Sequence, residues 1–258
     1  MTRLRIISLV AALAWGIAAP AGAAEPLVSD RPDFTESATV VDRGRLQLEG
    51  GATFARTQDG VEATTIGELL GRWGVARGLE LRLGFPTWER VDDGRTTTDG
   101  LADLVVGAKV QLATARGDGF FPGADWALVV ATTVPTGGDE VTADAWQPTA
   151  TLCGAWELGG DWSVGANLGL ARLEDDDQRV TSVWASGALG VALSEATSAF
   201  FELVVIEREE RRGPSTVTLQ TGITHLLSDD LQLDALVARR LTDEGPDFLV
   251  GFGVSTRF

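Results

Sequence analysis

Tyrosine is absent from this chain, and cysteine, histidine and methionine occur once each among 258 residues. The single Cys153 forbids an intramolecular disulfide, which excludes the cross-linked framework of small secreted domains. With only His225 to draw on, zinc centres built from histidine and cysteine are out of reach. A membrane enzyme such as a barrel lipase is also disfavoured, because it needs a nucleophile, base and orienting group within reach, and His225 falls near the periplasmic end of its strand on the apolar side. Basic charge is scarce: 21 Lys and Arg face 37 Asp and Glu, a net −16. Lys109 is the one lysine. Nucleic acid is not an expected partner, since its phosphates would be repelled. Beyond the N-terminus no apolar run is long enough for a spanning helix, so any membrane integration must use strands.

The N-terminus itself reads as an export signal. Arg3 and Arg5 precede the apolar run 6–19, and Pro20-Ala-Gly-Ala23 supplies a small-residue cleavage site. Cleavage is expected after Ala23, with Ala24 the near rival. Removal of 1–23 takes away two arginines and no acid, leaving 19 basic against 37 acidic side chains, or −18.

The mature chain alternates apolar and polar residues with the period of a β-strand. The last segment is the clearest. Phe248, Val250, Phe252, Val254, Thr256 and Phe258 share one face, and Leu249, Gly251, Gly253, Ser255 and Arg257 the other. Similar stretches cover 45–55, 64–75, 79–85, 103–112, 125–134, 149–158, 162–171, 181–193, 199–205, 216–227 and 231–239. Leu70 breaks the pattern of its strand, and 125–134 is apolar on both faces. About twelve strands, an even number, predict an all-β fold: a transmembrane antiparallel up-and-down β-barrel. The expected organisation is a signal peptide (1–23), a periplasmic leader (24–44) and an outer-membrane barrel (45–258).

Joint lengths give an orientation. The joints 56–63, 86–100, 135–148, 172–180, 207–215 and 240–246 are long, charged and predicted external; most others are tight, as periplasmic turns are. The long joint 113–124, with Phe120 and Phe121, is the exception. Trp73, Trp126, Trp156, Trp162, Phe201 and Phe258 fall at the periplasmic strand ends, and Phe54, Phe85 and Phe248 at the external ends. Two aromatic girdles result. A secreted β-sandwich or small soluble barrel shows the same local alternation, but its core would not accept so many charges.

Several segments carry a family resemblance. Ser29-Asp-Arg-Pro-Asp-Phe-Thr-Glu-Ser37 followed by Gly44-Arg-Leu-Gln-Leu-Glu-Gly-Gly51 resembles the start of the outer-membrane transporter family labelled for a meta-pathway of phenol degradation. Gly78-Leu-Glu-Leu-Arg-Leu-Gly-Phe-Pro86, Gly100-Leu-Ala-Asp-Leu-Val-Val-Gly-Ala-Lys109, Pro135-Thr-Gly-Gly138 and Leu231-Gln-Leu-Asp234 are similar to its later motifs. Ala102 departs from the glycine expected there. The resemblance implies a barrel and passive uptake of small solutes, hydrophobic or aromatic ones included. The competing reading is a non-conducting structural or adhesion barrel whose external loops bind a partner.

The candidate lumen-lining residues are the charges with inward parity: Glu49, Glu68, Arg72, Glu80, Arg82, Asp103, Lys109, Glu157, Glu202, Asp234 and Arg257. A charge facing lipid at the midplane costs about 2–4 kcal/mol, which directs them inside. There they either pair as a structural network or line an aqueous path. Arg31, Pro32, Asp33 and Phe34 of the leader are candidates for a partial plug, and Phe258 for the signal read by barrel-assembly machinery. No cofactor and no metal site are expected; Glu174-Asp-Asp-Asp177 reads as a solvated acid cluster. The expected partners are outer-membrane lipid, the assembly machinery during biogenesis and a small-molecule solute.

Overall fold

A computed structural model describes residues 25–57, 60–115, 123–175, 178–208, 213–243 and 246–258. The expected signal peptide, Phe120 and Phe121 lie outside the described residues, as do Asp176 and Asp177.

Among the described residues fourteen strands follow one another: β1 (Leu46–Arg56), β2 (Glu62–Ala76), β3 (Leu79–Gly84), β4 (Trp88–Asp92), β5 (Thr97–Leu101), β6 (Leu104–Ala113), β7 (Asp125–Val134), β8 (Pro148–Gly159), β9 (Trp162–Asp175), β10 (Gln178–Ala192), β11 (Thr197–Ile206), β12 (Thr216–Ser228), β13 (Leu231–Arg240) and β14 (Phe248–Arg257). Each pairs antiparallel with its neighbours, and β1 joins both β2 and β14, closing the sheet. Closure removes the exposed edges that an open sheet would present. Twelve strands form the ring, because β4 and β5 are not separate wall positions. β2 pairs with β3 from Leu70 to Ala76 and with β4 from Glu62 to Ile66. The β4–β5 hairpin therefore continues the β3 and β6 positions beyond the wall.

Two expected loops are corrected by this arrangement. The joint 86–100 is largely a hairpin, with Thr97 and Thr98 paired to Asp92 and Val91. Its turn is held by Asp93, which accepts from Arg95 N at 2.8 Å and Thr96 N at 2.7 Å, and Gly94 supplies a φ of 77°. The joint 172–180 is also mostly ladder: Arg172 pairs with Thr181, and Asp175 with Gln178.

The wall sorts residues as strand parity dictates. Phe54, Leu81, Leu168, Phe201, Leu219 and Phe252 are exposed on the outside, whereas Gln47, Glu49, Arg72, Glu80, Lys109 and Glu202 are buried inside. Such a continuous apolar exterior far exceeds the patches that soluble monomers leave in water. Leu70 breaks its pattern because of a β-bulge: Gly67 at φ 111° and Glu68 at φ 39° insert an extra residue, so Ile66 and Leu69 both face outward. Leu70 then points inward beside Arg72. In β7, Ala127 and Val129 are the inward residues and Val130 the outward one. Trp73, Trp162, Phe201 and Phe258 are exposed toward the end of the barrel with tight turns, and Phe54, Phe85 and Phe248 toward the end with long loops. Trp126 and Trp156 pack edge-to-face at 5.3 Å.

Candidate functional site

The site is built where the leader enters the ring. At the turn end, Leu27 N donates to Asp229 O (2.8 Å) and Arg257 donates to Glu25 O (2.7 Å). The chain runs up through 29–37, returns past Val41 and enters β1. Leu27, Asp30, Thr35, Ala38 and Val41 are all buried, Ala38 against Ala127, Val129 and Cys153 of the inner wall.

Asp30 is the anchor of this strap. Its carboxylate receives Lys109 Nζ at 2.8 Å and an Arg82 guanidinium nitrogen at 2.8 Å, with Arg72 at 3.4 Å. Ser37 donates to it through both N and Oγ, at 2.9 and 2.7 Å. Arg72 and Lys109 are fully buried, and Arg72 also reaches Glu49 (2.8 Å) and Glu80 (2.9 Å). Strap backbone fills the remaining positions. Arg72 donates to Val28 O and Thr39 O, Lys109 to Ser37 O, and Val41 N to Glu80. Buried charge is tolerated when paired and hydrogen-bonded in this way.

The next residues cross the lumen. Arg31 turns to one wall, at 2.7 Å from Glu68 and 3.4 Å from Asp234, and donates to Phe252 O. A Cβ on Gly51 would meet both that guanidinium and the Phe252 carbonyl oxygen, and one on Gly253 would displace the guanidinium, so glycine at both positions lets Arg31 lie against the wall. Phe34 N and Thr35 N donate to Glu202 on β11, at 3.0 and 2.6 Å, and Thr35 Oγ1 lies 2.7 Å from Ser186 Oγ. The Asn167 amide faces the Glu36 backbone, its oxygen 2.7 Å from Glu36 N.

The crossing separates two cavities. One of about 560 Å³ opens toward the long loops; one of about 280 Å³ lies toward the turns, lined by Leu27, Pro32, Phe200, Leu226 and Gln232. Arg31 and Asp33 line both. Among the described residues of this interior, eight carboxylates (Asp30, Asp33, Glu36, Glu49, Glu68, Glu80, Glu202, Asp234) meet four cations (Arg31, Arg72, Arg82, Lys109).

Three candidate positions belong elsewhere. Asp103 sits in the break between β5 and β6 and anchors the loop after β7, accepting from Gly137 N (2.8 Å), Thr136 N (2.9 Å) and Thr142 Oγ1 (2.8 Å). Glu157 has inward parity but lies exposed near the end of β8, below the interior. Arg257 pairs with Asp230 at 2.7 Å, at the turn-end rim. Phe258 exchanges backbone hydrogen bonds with Leu46, where the ring closes. His225 Nδ1 lies 2.8 Å from Thr197 Oγ1. Sequence reading missed Asp30, Thr35 and Trp184. Parity alone marks Trp184 as inward; nothing local marks Asp30 as the partner of Lys109, 79 residues away.

A family model described as "Putative MetA-pathway of phenol degradation" matches residues 29–258. The chain belongs to this family. The match begins at Ser29, so the strap is part of the family's domain along with the barrel. Among curated proteins none matches. Among solved structures, the KdgM porin is similar at TM-score 0.54 and 12% identity, covering 83% of this chain and 99% of that one. A NanC porin structure is similar at TM-score 0.52 and 11% identity, covering 82% and 98%. A further KdgM structure, in complex with disordered oligogalacturonate, aligns at TM-score 0.52 and 13% identity, covering 83% and 99%. At these identities the likeness shows the fold: a closed antiparallel twelve-strand barrel.

Proposed function

We propose that this protein is an outer-membrane channel for passive uptake of small solutes, hydrophobic and aromatic ones included, with its own strap (25–43) as a partial plug. The observation that carries this reading is the pair of cavities separated by the crossing at Arg31 to Thr35. A structural barrel has no need of chambers on both sides of a tied strap. The apolar exterior supports an outer-membrane location and the porin-like fold supports a channel role. Twelve strands enclose less area than the sixteen to eighteen of open porins, so the passage is narrow and runs past Arg31 and Asp33. The excess of carboxylates favours cations over anions and disfavours a polyanion such as the oligogalacturonate held by KdgM.

Solute flux into liposomes tests the reading. Purified protein is expected to admit small neutral and cationic solutes but exclude large sugars. Liposomes sealed to every solute, with or without the strap, would instead support a non-conducting adhesion barrel.

A further inference from the structure

The loop-end cavity has a composition that channel function alone does not require. Its upper wall is apolar although it faces the lumen: Leu70, Val105, Val129, Leu173 and Ile206 carry the inward parity there. Trp184 completes the wall. A Cβ on Gly169 of the adjacent strand would collide with the indole, so the ring lies against that glycine and lines the cavity. Phe34 of the strap meets Trp184 edge-on, with centroids 6.5 Å apart and planes at 85°. The floor is acidic. Glu68 and Glu36 are tied to arginines, whereas Asp33 has no ion pair among the described residues; burial and the nearby Glu202 carboxylate push its carboxyl well above the usual carboxylate range, so a cation bound beside it is the partner that would restore its charged form.

An apolar body needs the wall, and a positive charge is drawn to the floor and to the face of an indole. We propose that this cavity binds organic cations with an aromatic or aliphatic body, such as substituted ammonium compounds, before they pass the strap. Resting on the channel reading, the proposal adds the charge and shape of the solute. Small inorganic cations satisfy the floor alone and gain nothing from Trp184. Anions of equal size meet the same wall but are repelled by the floor.

The test uses the mature protein folded in detergent, titrated by calorimetry with three matched probes: benzyltrimethylammonium, benzyl alcohol and benzenesulfonate. The cation is expected to bind at least about tenfold more tightly than benzenesulfonate. Trp184→Leu should weaken the cation about three- to tenfold, while affecting benzyl alcohol less. Asp33→Asn, which leaves every ion pair of the strap intact, should weaken the cation and not the alcohol. Heat-modifiable mobility confirms that each variant is folded. Equal affinity for all three probes, an unchanged cation affinity in Trp184→Leu, or no binding of any probe would each overturn the proposal. None of these outcomes touches the channel reading, which stands or falls on flux through the strap's crossing.

Discussion

Asp30 holds three cationic side chains at once, two of them with no exposure to solvent. Its replacement by alanine leaves Lys109 without its closest carboxylate and removes the carboxylate oxygen to which both Ser37 N and Ser37 Oγ donate. Stranding a buried charge costs about 3–5 kcal/mol, so urea unfolding of the barrel in lipid is expected to shift by that order in Asp30→Ala. Lys109→Met should cost less than Asp30→Ala, because Asp30 keeps Arg82 and Arg72. The double variant should lose less than the sum of the two, and strict additivity would mean that the pair does not interact. Trp184 and Gly169 form a second coupled pair: Gly169→Val should displace the indole and quench or shift its emission.

Among the elements, the strap and the external hairpins were read from sequence with unequal success. The strand alternation of 45–55 and 248–258 was legible because one side must be apolar and the other polar or small. The β4–β5 hairpin was missed because its strands are short and charged, although the Asp93-Gly94 pair at its turn is a hairpin signal. Asp103 was read as a lumen charge on parity alone; the structure gives it to the loop that follows β7. Burial raises its pKa, but the amides of Gly137 and Thr136 and the Thr142 hydroxyl outweigh this and hold it below the usual carboxylate value. A depressed pKa means that its stabilisation is complete above the unfolded value of about 3.9 and is lost as pH falls through the folded value. Acrylamide quenching of Trp146, exposed on this loop, should therefore rise on acidification below about pH 4. Asp103→Asn should show the raised quenching already at neutral pH; quenching like wild type at both pH values would remove Asp103 from the loop's support.

At the scale of the whole molecule, the closed ring makes register and topology one question. Phe252 is 54% exposed on the outer face, whereas Arg257 has the opposite parity and is buried at the turn-end rim. Cysteines at these positions in a Cys153-free background should react differently, with a membrane-soluble reagent preferring position 252. Phe258 closes the ring against Leu46, and its deletion is expected to reduce heat-modifiable folded barrel in outer-membrane fractions far more than Thr256→Ser. The inner charges could be listed from sequence, but not their partners. Pairing depends on a strap that folds back across the barrel, and contacts such as Arg31 with Asp234, 203 residues apart, leave no local trace.

The central claim is that the strap closes a passage. Planar-bilayer conductance of the mature protein should be compared with a variant lacking Glu25 to Pro32, both shown to be folded by heat-modifiable mobility. The account predicts small, cation-preferring conductance in the intact protein and a several-fold larger one in the variant, because the ties of Asp30 and Arg31 to both walls are gone. Unchanged conductance on deletion, with the intact pore already passing large sugars, would contradict it.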